Sequence, residues 1–104
     1  MAFDLDERLI QSIQGIGQTY AISRIAIFGS RARGDHKPTS DIDLAIFPLP
    51  DFKNMGCLTS DMDDLNTLLK IDLVMINEQI DPKLLENIER EGVSIYERTN
   101  IESQ

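Results

Sequence analysis

Four positions with fixed spacing stand out in this 104-residue chain: Gly29-Ser30, then ten residues, then Asp41-x-Asp43. A further carboxylate, Asp72, sits inside the apolar stretch IDLVMI. In a strand, residues two apart project to the same face, so Asp41 and Asp43 stand side by side. Two like charges that close repel unless a cation lies between them. Mg²⁺ accepts such a pair together with phosphate oxygens and water. Asp72 is costly in an apolar strand unless it is paired or bound to a cation. All three carboxylates fall at or near strand starts, so a suitable strand order could gather them into a two-metal centre. Gly29 permits close backbone approach to a ligand. Ser30 can donate to phosphate oxygens, and Arg31 or Arg33 can add charge-assisted contacts. These residue types together suit a metal-bound polyphosphate. A bare Asp-x-Asp says little by itself. The four positions together arise by chance in a chain this long on the order of one time in a thousand.

Two better-known phosphate motifs fail. Gly29 to Gly34 fits G-x-x-x-x-G, but Asp35-His36 follows where Lys-Ser/Thr is required, so a P-loop is rejected. No G-x-G-x-x-G is present. His36 reads as a solvated loop histidine or a minor phosphate contact, Cys57 as structural or incidental, and Tyr20 and Tyr96 as sheet and core-edge residues. Asp61, Asp63 and Asp64 read as an acidic first helical turn rather than a second metal site.

The elements that must position the carboxylates follow from periodicity. Leu5, Leu9, Ile13 and Ile16 predict a helix over 3–20, with Asp4 and Asp6 in its first turn and Gly15 and Gly17 weakening its end. A buried strand follows over 22–28. Residues 30–33 can form a helical turn, and 34–40 a loop held irregular by Pro38. A second strand spans 41–47. The connection PLPDFKNMGC is expected to be irregular. Thr59 or Ser60 is expected to cap the next helix, with Met62, Leu65, Leu68 and Leu69 as its buried stripe. A third strand covers 71–76. Asp81 and Pro82 predict an N-cap and first helical position. That helix turns Leu84, Leu85 and Ile88 inward, pairs Glu86 with Arg90, and stops at Gly92. A final strand covers 93–96, and 98–104 is a flexible polar tail. The expected fold is α+β, a small mixed sheet flanked by helices in layers, as a single domain over 1–104.

Composition sets the outer bounds. A hydrophobic content of 41% supports one core and no second, substrate-holding domain. No apolar run is long enough to span a membrane. The charged, amphipathic start MAFDLDERLI reads as no signal peptide. The single cysteine points to a reducing cytoplasm. A net charge of −8 argues against direct nucleic-acid binding and suits a basic protein partner. Arg31, Arg33 and Lys37 are the local exception.

The stretch GSRARGDHKPTSDID, with IDLVMI and IEREGVSIY downstream, resembles the nucleotidyltransferase domain of the DNA polymerase β-like superfamily. It is most similar to the minimal nucleotidyltransferases (MNT), the antitoxin half of HEPN–MNT toxin–antitoxin pairs. The resemblance implies that Gly29 and Ser30 hold a nucleoside triphosphate and that Asp41 and Asp43 ligate Mg²⁺. Asp72 would complete a two-Mg²⁺ centre and help activate the attacking hydroxyl. It further implies transfer of AMP from ATP to a tyrosine of a HEPN RNase toxin, with which the chain forms a hetero-oligomer. Nothing in so short a chain is left to bind a large acceptor, so the acceptor surface must come from a partner. Two other readings stand beside this one. The chain could neutralise a toxin by complex formation without turnover, or be the catalytic subunit of a split small-molecule nucleotidyltransferase. Nucleotide preference is not legible in these residues.

Overall fold

A computed structural model of the chain describes residues 6–34, 41–65, 67 and 69–98, with Ser30 and Arg31 as backbone only. The elements run α1 (Glu7–Thr19), β1 (Ile22–Phe28), α2 (Ser30–Arg33), β2 (Ile42–Pro48), α3 (Met55–Asp63), β3 (Ile71–Met75), α4 (Pro82–Glu91) and β4 (Val93–Glu97). The four strands form one mixed sheet in the order β3-β2-β1-β4. β1 runs antiparallel to both β2 and β4, whereas β2 and β3 are parallel. This is the expected α+β layering.

Each face of the sheet has its own core. On one side α1 contributes Leu9, Ile10 and Ile13, and α3 contributes Leu58 and Met62. They pack on Ile25, Ile27, Ile42, Leu44 and Ile46. On the other side α4 lays Ile88 over Ala26 and Ala45, flanked by Phe28, Phe47 and Val74. Small residues in the sheet let α4 approach closely.

Local chemistry explains most element ends. Asp6 caps α1, its carboxylate accepting from the Arg8 N–H at 2.9 Å. Asp81 caps α4 in the same way through the Lys83 N–H, and Pro82 occupies the first turn. Gly92 ends α4 in extended backbone (φ −70°), so no left-handed turn demands glycine there. A Cβ at Gly92 would instead run into the Ile88 carbonyl oxygen. Arg90 bonds Asn87 and approaches Glu91 rather than the expected Glu86.

α1 continues through Gly15 and Gly17 to Thr19. Gly17 lies against the Tyr96 ring, where tertiary packing outweighs helix propensity. The cap at Thr59 or Ser60 is corrected. α3 already begins at Met55, after Asn54, which makes no side-chain cap bond. Thr59 and Ser60 are internal, and Asp61 and Asp63 lie in the last turns instead of the first. Burial of Leu58 and Met62, four residues apart on one face, fixes this helix in place of a cap. Leu65 and Leu69 pack against the core beyond the helix end.

Arg98 is part of the fold. Its guanidinium donates to the carbonyls of Gly17, Tyr20 and Ile22, closing the C-terminal end of α1. The readings made for residues 3–5, 35–40 (including His36, Lys37 and Pro38), Leu68 and 99–104 lie outside the described residues. Among the described residues, no helix is long and apolar enough to cross a membrane.

Candidate functional site

The antiparallel pairing of β1 with β2 and the parallel pairing of β2 with β3 bring one end of β1 and the starts of β2 and β3 to the same edge. In register, Phe28 opposes Asp43, and Asp43 opposes Asp72. Paired residues in a sheet share a face, so Asp43 and Asp72 project together on the α4 side. Asp41 stands just ahead of β2 and is exposed. The start of β2 is tied towards β3 by the Ile42 N–H donating to the Lys70 carbonyl at 2.8 Å.

Electrostatics mark Asp43. Its carboxyl is held above the ordinary carboxylate range, first by desolvation and then by the charges of Asp72 and Asp41. The Arg33 guanidinium opposes that rise. A carboxylate raised in this way by two like neighbours favours a cation. The donor set is all oxygen and matches a hard divalent ion. Among the described residues, no group of three His, Cys, Asp or Glu side chains is arranged to hold a metal by itself. The carboxylates therefore fit an ion that takes the rest of its shell from phosphate oxygens and water, which is the habit of Mg²⁺.

Gly29 is required twice over. Its φ of +80° lies in the left-handed region that glycine favours. A Cβ there would also collide with the Asp43 carboxylate oxygen. The backbone of β1 thus turns away directly beside the acidic pair. α2 follows at once as a single turn, and Gly34 (φ +88°) closes it.

The expected site residues are distributed as follows. Gly29, Asp41, Asp43 and Asp72 meet at one sheet edge. Ser30 and Arg31 belong to α2 by their backbone. Arg33 is near enough to Asp43 to act on its charge, and it also pairs with Glu91 at the end of α4, at 3.1 Å. Two charged neighbours escape sequence reasoning. The Lys70 ammonium lies 3.6 Å from the Asp72 carboxylate. Strand parity, two residues before Asp72, could have pointed to it. Glu91 lies 58 residues from Arg33 in the chain, and no spacing rule links them. Tyr20 hydrogen-bonds Asp61 at 2.6 Å, which pushes the phenol up to about 12. It sits at the opposite end of β1 from the acidic edge.

Known proteins share this fold. Residues 11–101 match the family described as polymerase beta, nucleotidyltransferase. Over 76 residues the chain is 33% identical to a candidate protein adenylyltransferase of Methanocaldococcus jannaschii, an overlap of 71% of this chain and 87% of that protein. Among solved structures, a toxin–antitoxin with AMP-PNP superposes with a TM-score of 0.63 at 20% identity. That overlap spans 90% of this chain and 77% of the other. A candidate nucleotidyltransferase from Sulfolobus solfataricus gives 0.58 at 22% identity, over 88% and 79% of the two chains. At such identities the superpositions speak to the fold.

Proposed function

Because the chain belongs to the polymerase beta nucleotidyltransferase family, we propose that it transfers AMP from ATP to a tyrosine hydroxyl of a partner HEPN RNase toxin, silencing it as an antitoxin. The observation that carries this reading is the register that sets Asp43 opposite Asp72, beside the left-handed Gly29. The Methanocaldococcus jannaschii relative is named for protein adenylylation, which supports a protein acceptor. The shared fold with a toxin–antitoxin solved with AMP-PNP supports ATP as donor and a toxin as partner. The net charge of −8 suits a basic partner surface, and the single exposed cysteine suits a reducing cytoplasm.

In this reading the hydroxyl oxygen of the acceptor attacks the α-phosphorus in line. The bridging bond to the β-phosphate breaks, pyrophosphate leaves, and AMP is joined to the acceptor oxygen. Mg²⁺, when bound, supplies positive charge to the attacking and leaving oxygens. Asp41 and Asp43 hold the cation side of the triphosphate. Gly29 lets the chain approach the phosphates without a side chain between. Ser30, Arg31 and Arg33 follow within one turn and contribute donors to phosphate oxygens. Asp72 faces Asp43 across the strand pair and accepts the proton released by the acceptor hydroxyl.

The test is direct. The chain is incubated with α-labelled ATP, MgCl₂ and the protein encoded beside it. Label is expected on a tyrosine of that protein, and transfer should vanish in Asp41→Ala/Asp43→Ala. No transfer by the wild type, or transfer that survives the double substitution, refutes the reading. Rescue of cells from the toxin by the double variant would show neutralisation by binding alone.

A further inference from the structure

The segment IEREGVSIY has no part in the chemistry above, yet it delivers a charged group to the site. Glu91 is the last residue of α4, and Gly92 passes the chain into β4. The register of β4 on β1 places Val93 against Ile27, two residues before Gly29. Glu91 thereby reaches the acidic edge and takes the Arg33 Nη1 at 3.1 Å. Arg33 in turn acts on the charge of Asp43. The Glu91–Arg33 pair thus ties the end of α4 to the turn that follows Gly29, the residue lying against the Asp43 carboxylate.

We infer that Glu91 is a positioning residue for nucleotide binding, acting through Arg33, which rests on the function proposed above. α2 is four residues long, and a single turn does not hold itself together. Its backbone closes through the Arg33 N–H, which donates to the Gly29 carbonyl at 3.1 Å. Ala32 packs on the core from one side. The ion pair to Glu91 ties the other end to α4, an element with a capped N-terminus and a buried face. A guanidinium carries five N–H donors in a rigid fork, so it can serve a carboxylate and a phosphate together. Arg33 is about half exposed and Glu91 about a quarter, so the pair adds little to global stability. Its effect is to fix where the guanidinium stands before the nucleotide arrives.

The experiment is binding of AMP-PNP with MgCl₂ by titration calorimetry. Wild type, Arg33→Ala, Glu91→Gln, Glu91→Asp and Arg33→Ala/Glu91→Gln are compared, each checked by its melting temperature. Glu91→Gln should weaken binding by about threefold to tenfold while melting close to wild type. Glu91→Asp, which keeps the charge, should recover part of the loss. In the Arg33→Ala background Glu91→Gln should change nothing further, since its action runs through that side chain. Wild-type binding with unchanged or tighter binding in Glu91→Gln overturns the inference and leaves the proposed function standing. An equal loss from Glu91→Gln in both Arg33 backgrounds overturns it as well. Absence of nucleotide binding in the wild type overturns the proposed function, and this inference with it. Should Glu91→Gln melt far below wild type, the Glu91→Asp comparison decides: no recovery of binding in a variant that folds refutes the positioning role.

Discussion

Alanine at Gly29 adds one methyl group at the point where β1 turns into α2. The backbone there has a φ of +80°. Holding an L-residue in that region costs about 1–2 kcal/mol. In a domain of this size each kcal/mol moves the melting temperature by roughly 4–8 °C. Gly29→Ala should therefore melt about 4–16 °C below the wild type. A second cost is steric and falls on the site. The new Cβ would collide with the Asp43 carboxylate oxygen, with the carboxyl carbon at 3.3 Å. The carboxylate has to swing out of line with Asp72, so nucleotide and Mg²⁺ binding should be lost along with the stability. The two costs separate in a double-mutant cycle. In an Asp43→Ala background the backbone cost remains and the collision is gone. Gly29→Ala should then be milder by about 0.5 kcal/mol or more. Calorimetric melting of the four proteins measures this. Equal penalties in both backgrounds, or wild-type melting of Gly29→Ala, would refute the reasoning.

Other outcomes follow from the same structure. Asp43 is held above its usual range in the fold, so the folded state bears its ionisation cost at neutral pH. That cost fades as pH falls through the folded-state value and is gone below the unfolded one. Asp43→Asn should thus be at least as stable as wild type at pH 7, with the gap closing in acid. MgCl₂ should raise the melting temperature of the wild type and leave Asp43→Asn unmoved; an equal rise in both counts against a cation at this carboxylate. Gly17→Ala improves helix propensity by up to about 1 kcal/mol, yet its Cβ would lie 2.7 Å from the Tyr96 ring. Overpacking of about 1–3 kcal/mol should win, seen as a lower urea midpoint. Arg98→Ala removes the donors to the carbonyls of Gly17, Gln18, Tyr20 and Ile22 around the end of α1 and should cost about 1–3 kcal/mol in the same assay.

Elements set by local chemistry are legible in the residues themselves. Asp81-Pro82 marks α4 because a cap and a first-turn proline act within a few positions. The strands expected at 22–28, 41–47 and 71–76 stand out as apolar runs, and all three hold within a residue of their ends. α3 is misread because Thr59, Ser60 and the aspartates mimic a helix start, while the real start at Met55 has no side-chain cap. Burial of Leu58 and Met62, a tertiary fact, decides it. The carboxylates are legible as residue types at strand starts. Their meeting is not, because it needs the strand order and the parallel register of β2 with β3. Glu91 and Lys70 escape for related reasons. A long-range ion pair has no periodicity, and an exposed lysine beside a strand has many reasons to exist.

The two cores are of unequal depth. Among the described residues, thirteen buried ones form the core under α1 and α3, and three form the core under α4. Free energies of local opening track such differences. Amide hydrogens of β1 and β2 should exchange only on global unfolding, whereas those of α4 should exchange earlier, through a partial opening that lifts this helix alone. Such an opening also withdraws Glu91 from the acidic edge. Nucleotide at that edge should then slow exchange along the whole of α4, including turns that never touch it.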